Sequence, residues 1–136
     1  MTAITTPRFK ESTDSLLRFA MRADAILSGI TGIASIPLAG WLAEISGTTK
    51  AFEYSIGAFF IVFAVGVFYL AAKPSVRRAG LMVAIGNVLF TVACVVFVLA
   101  DVFPLTTTGV ALILGTGVYT AAIGELQYQG WRRAKA

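Results

Sequence analysis

Four stretches of this 136-residue chain carry no Asp, Glu, Lys or Arg: residues 25–43, 54–72, 79–100 and 102–124. They run 19, 19, 22 and 23 residues. A hydrocarbon core about 30 Å thick is crossed by about 20 apolar residues of helix. Every charged residue lies between or outside these stretches. The pattern predicts an all-α, membrane-spanning four-helix bundle with short loops over residues 16–133. Its spans fall at about 23–45, 53–72, 79–100 and 106–128, after a polar tail over 1–15 and before a short C-terminal tail over 134–136. Pro37, late in span one, removes a backbone hydrogen bond and predicts a kink there. Ser12 to Ser15 offers a helix start, and Thr106, Thr107 and Thr108 offer caps for span four.

Lipid tails are as apolar as leucine, so small residues and interhelical hydrogen bonds must hold spans together. Ala25, Ser28, Gly32, Ser35 and Ala39 recur along one seam of span one. Gly80, Ala84, Asn87, Thr91 and Cys94 do so in span three, and Gly117, Thr120 and Gly124 in span four. These seams are expected to face one another, with bulky faces such as Leu89, Val92, Val96 and Leu99, and the phenylalanines of span two, turned to lipid or a partner. At about 1.5 Å per residue, Thr31, Asn87 and Thr120 share one depth, with Tyr119 adjacent, and Ser35, Thr91 and Thr116 share another. Asn87 is therefore expected to hydrogen-bond to span one or four, because an unpartnered amide in hydrocarbon is costly. Thr31, Asn87, Thr91, Thr116, Tyr119 and Thr120 form the candidate polar cluster. It serves either as interhelical glue or as the lining of a small polar cavity.

Asp24 and Glu125 sit close to the inner ends of the spans, with Arg22, Arg77 and Arg78 nearby. Arg22, Asp24, Arg78 and Glu125 are read as candidate boundary ion pairs. Intramembrane ionisable residues also raise a gating or proton-handling role.

The charge is lopsided. Ten of the 11 Lys and Arg flank span one on its N-terminal side, join spans two and three, or follow span four; only Lys50 lies on the other side. Cytoplasmic segments carry such an excess. Both termini are thus expected in the cytoplasm of a multi-pass plasma membrane protein, and the net charge of +4 reflects topology with no nucleic-acid partner. Trp41, Tyr54, Tyr69, Tyr128 and Trp131 fall at the expected headgroup levels. Span one is long for a signal-peptide core and follows about 22 polar or mixed residues, so it reads as uncleaved.

The chain has no histidine and a single cysteine, Cys94. Histidine-ligated metal or haem, an intrachain disulfide and an iron–sulfur site are excluded, and no glycine-rich phosphate loop with its Lys occurs. No cofactor and no enzymatic activity are expected.

The run Leu17-Arg18-Phe19-Ala20-Met21-Arg22-Ala23-Asp24 is followed by Ser28-Gly29 and Gly32. Further along come Trp41-Leu42-Ala43-Glu44, Phe52-Glu53-Tyr54, Gly57-Ala58-Phe59-Phe60 and Leu126-Gln127-Tyr128. Together these resemble a family of small four-span integral membrane proteins common in actinobacteria, over about residues 16–133. The resemblance implies membrane location and topology but no mechanism.

Two functions stay open. The first is a non-catalytic accessory or scaffolding subunit, packed against itself or a larger membrane complex through Phe59, Phe60, Phe63 and Phe68. The second is a small oligomeric transporter or channel built on the polar layer around Asn87.

Overall fold

A computed structural model describes residues 13–134; most of the polar N-terminal tail and the last two residues lie outside it. The described residues form five α-helices and no strand: α1 (Ser15–Ser35), α2 (Ala39–Ser46), α3 (Lys50–Ala71), α4 (Arg77–Ala100) and α5 (Thr107–Arg133). Helices α3, α4 and α5 are each long and apolar enough to cross a membrane. Helices α1 and α2 meet that test together, but they are bent by 91° at the break between them. The single first span expected over about 23–45 is therefore two helices, and the break falls at Ile36–Leu38. Pro37 lacks the N–H that would continue the ladder, and the kink expected there is nearly a right angle.

Local chemistry explains the ends. The Thr49 hydroxyl accepts from the Phe52 N–H to start α3, and the Thr106 hydroxyl accepts from the Gly109 N–H to start α5. Arg18 closes α3 from the side. Its guanidinium donates to the carbonyls of Ala71, Lys73 and Pro74 at 2.9, 2.6 and 2.7 Å while pairing with Asp14. The Ala71 carbonyl is one that a helix end leaves without an intrahelical donor, and the other two lie in the loop that follows.

The long helices pack as two pairs, α1 with α3 and α4 with α5. Small residues permit each pairing. A Cβ on Gly32 would stand 2.7 Å from the Gly57 carbonyl oxygen, so only hydrogen fits between α1 and α3. The seam of span one thus packs in part on span two, not only on the later spans. The two pairs join at one end, where Leu17, Met21, Ala25, Val67, Ala71, Val76 and Val83 form a buried apolar plug. At the other end α2 lies across the bundle and is tied to α5: the Thr106 N–H and hydroxyl donate to the carbonyls of Ser46 and Ile45. Between plug and strap, α3 and α4 barely touch except through ring contacts, Phe59 and Phe60 on Phe90 and Phe52 on Phe97. Outward faces remain apolar, with Leu89, Val92 and Leu99 at 62%, 54% and 77% exposure. Such faces suit acyl chains rather than water.

Candidate functional site

Just beyond the plug lies Asp24, with no exposed surface. Burying a carboxylate is costly unless it is fully hydrogen-bonded, and the surrounding helices supply that bonding. From its own helix, one turn on, the Ser28 hydroxyl donates to Oδ1 at 3.1 Å. From α5 the Tyr119 hydroxyl donates to the same oxygen at 2.8 Å, and Gln127 Nε2 donates to Oδ2 at 3.0 Å. From α4, Asn87 Nδ2 donates to Oδ2 at 2.8 Å and to Gln127 Oε1 at 2.9 Å. A carboxylate anion only accepts, through about four lone-pair sites. Four donors from three helices meet it here.

A second layer adjoins the first. Thr91 Oγ1 lies 2.7 Å from Thr120 Oγ1 and 2.9 Å from the Gly117 carbonyl oxygen. Gly117 and Gly124 let α4 approach α5 this closely; a Cβ on either would stand 3.2 Å from the Cβ of Cys94 or Asn87.

Of the candidate polar cluster, Asn87, Thr91, Tyr119 and Thr120 meet in this way. Thr31 and Thr116 do not: Thr31 is exposed, and the Thr116 hydroxyl donates back to the Leu112 carbonyl of its own helix. Ala25, Ser28, Gly32, Gly80, Ala84, Gly117 and Gly124 are buried in helix contacts, while Ser35 is only half-buried, its hydroxyl turned to the Thr31 carbonyl.

The boundary ion pairs expected at Arg22, Asp24, Arg78 and Glu125 do not form. The only ion pair among the described residues is Arg18–Asp14. Arg22, Arg78 and Glu125 are exposed, and Glu125 accepts from Gln129 instead. Arg22 and Asp24 are two residues apart, a spacing that puts side chains on different helix faces. Of the span-two phenylalanines Phe59 and Phe68 are exposed, as expected, while Phe60 and Phe63 are half-buried, and the rings of Phe59 and Phe60 pack on Phe90.

Gln127 was missed. Its signal was present, because Gly117, Thr120, Gly124 and Gln127 continue a 3-4-3 spacing one step further along the seam. Asp24 and Ser28, four apart, do the same in α1.

Ser28, Asn87 and Tyr119 also border a cavity of about 560 Å³ between the two helix pairs. One wall is aromatic, from Phe59, Phe60, Phe63 and Phe90. A neighbouring cavity of about 310 Å³ shares Thr31, Phe60, Phe90, Leu112 and Thr116 with the first and extends to Thr48 and Glu53, where the Thr48 hydroxyl donates to the Glu53 carboxylate. The arrangement is a vestibule with an aromatic wall and a hydrogen-bonding floor, backed by a carboxylate. Comparison with known proteins returns no matching family model, no matching curated protein and no matching solved structure.

Proposed function

We propose that this chain crosses the cytoplasmic membrane four times, with both termini inside, and acts as a small carrier-type protein that binds an amphipathic molecule in the vestibule. The skew of basic residues supports the orientation. The cavity supports the binding role. Ligand sites are concave and mostly apolar, of about 300–1,000 Å³, with a few convergent polar groups, and the larger cavity matches that description. Of the two functions left open by the sequence, this observation favours the carrier. Packing against partners does not call for a polar floor inside the chain, and the residues that border the cavity all belong to one chain.

Gly86 and Gly115 provide the test. Both border the cavity, and a Cβ on either meets nothing within 4 Å. Gly86→Leu with Gly115→Leu therefore adds bulk at the cavity's edge from positions where a side chain has room to start. Native mass spectrometry of protein extracted from its membranes is expected to find a small-molecule adduct on the wild type and none on the double variant. The same occupancy in both, or none in either, overturns the reading.

A further inference from the structure

The charge balance of the vestibule names the class of its cargo, a step that rests on the carrier reading above. Asp24 is fully buried and has no Lys or Arg at ion-pairing distance among the described residues. Its oxygens accept four hydrogen bonds, the pattern of a carboxylate anion, which only accepts, and neutral donors leave that net charge uncancelled. In low-dielectric surroundings that charge acts over several ångströms with far less attenuation than in water. Ser28, Asn87 and Tyr119 each touch both the carboxylate and the open volume, so Asp24 lies one side chain behind the floor.

Among the described residues bordering the two neighbouring cavities, Glu53 is the only charged one. A molecule held there therefore meets ring faces along the wall, a carboxylate behind the floor and a second one on the lining of the neighbouring cavity, with no basic side chain among those residues. Clefts of a single sign with low-dielectric walls concentrate counter-ions, and aromatic faces attract cations. We propose that the vestibule takes a hydrophobic organic cation, a molecule whose apolar body lies against Phe59, Phe60, Phe63 and Phe90 and whose nitrogen or phosphonium centre lies toward Asp24.

Tetraphenylphosphonium and tetraphenylborate share a shape and differ in sign, so they isolate the charge. Equilibrium dialysis of the full chain in nanodiscs, corrected with protein-free nanodiscs, is expected to show saturable phosphonium binding at least about tenfold tighter than borate binding. Asp24→Asn, which keeps the size and removes the charge while turning one acceptor oxygen into a donor, is expected to weaken phosphonium binding by about tenfold. Glu53→Gln, on the lining of the neighbouring cavity, is expected to weaken it less, and it decides the point should the Asp24 variant fail to fold. Equal affinity for the two ions, a preference for borate, or phosphonium binding unchanged in both variants overturns the cation assignment and leaves the carrier reading standing. Saturable binding of neither ion, with no adduct on the native protein, overturns both.

Discussion

Asn87 Nδ2 lies 2.8 Å from Asp24 Oδ2, a bond between residues 63 apart in the chain that joins α4 to α1 at the centre of the bundle. The same nitrogen holds Gln127 Oε1, so one amide organises three helices. Asn87→Leu removes a donor from a buried carboxylate and an anchor from Gln127. It is expected to lower stability by about 1–3 kcal/mol, the cost of leaving a buried polar group unsatisfied. Denaturation in mixed micelles checks the value.

Asp24 itself separates hydrogen bonding from bulk. Asp24→Asn keeps an acceptor for Ser28 and Tyr119, and rotation of the neighbouring amides can restore the remaining contacts. Asp24→Leu leaves Asn87 and Gln127 facing hydrocarbon. The Leu variant is expected to unfold well before the Asn variant, and an equal loss in the two would mean that the carboxylate is not what organises the cluster. Tyr119→Phe keeps the ring and deletes one donor to a charged group, so a smaller loss of about 1.5–3 kcal/mol is expected from the same measurement.

At the plugged end, a Cβ on Gly130 would stand 2.7 Å from both Cα and N of Leu17, and backbone cannot rotate away. Gly130→Ala is expected to cost about 1–3 kcal/mol through overpacking. Gly66 has open space around it, so Gly66→Ala is expected to be neutral or to stabilise by up to about 1 kcal/mol through helix propensity. Opposite signs from two identical substitutions would place the tight contact at α5.

Arg18 offers a geometric test. Its forked guanidinium reaches three carbonyls and a carboxylate together. Lysine keeps the charge but not the fork. Arg18→Lys is therefore expected to lose most of the stability that Arg18→Ala loses, and full rescue by Lys would show that charge alone suffices.

Orientation is checked with single cysteines in a Cys94→Ala background. Ser75 and Thr108 are exposed, one in the α3–α4 loop and one at the start of α5. Membrane-impermeant maleimide on intact cells is expected to label Thr108→Cys and to spare Ser75→Cys until the membrane is opened. Labelling of both from outside would refute the four-pass arrangement.

The helices were legible because charge cannot enter hydrocarbon: the gaps between charges mark α3 and α4 to within about four residues, whereas α5 starts five residues inside its gap and runs nine past it. Asn87 was legible for the same reason: a lone amide in a greasy run has to find a partner. Asp24 was misread. Distance along the chain put it near the membrane surface with Arg22 beside it, and linear spacing says little about which way a helix faces. Only the packing of α5 against α1 reveals that Asp24 points inward and that Gln127 waits there. The cavity was legible only as one of two readings of the polar cluster, of which Thr31, Asn87, Thr116, Tyr119 and Thr120 do border it; its aromatic wall was not, because pairing of helices is a property of the assembled bundle. Pro37 signalled a bend but not its size of 91°, nor that Thr106 would tie the end of α2 to α5.

The bonds to Asp24 also constrain how the protein is made. Asn87, Tyr119 and Gln127 follow it by 63, 95 and 103 residues. A ribosome delivers Asp24 long before any of them exists. The first helix must therefore stay near the aqueous surface, or shelter in the insertion machinery, until nearly the whole polypeptide has emerged. A transcript truncated ahead of α5 yields a nascent chain with an unquenched acid in its leading segment, and membrane quality control has a clear chemical mark by which to remove it.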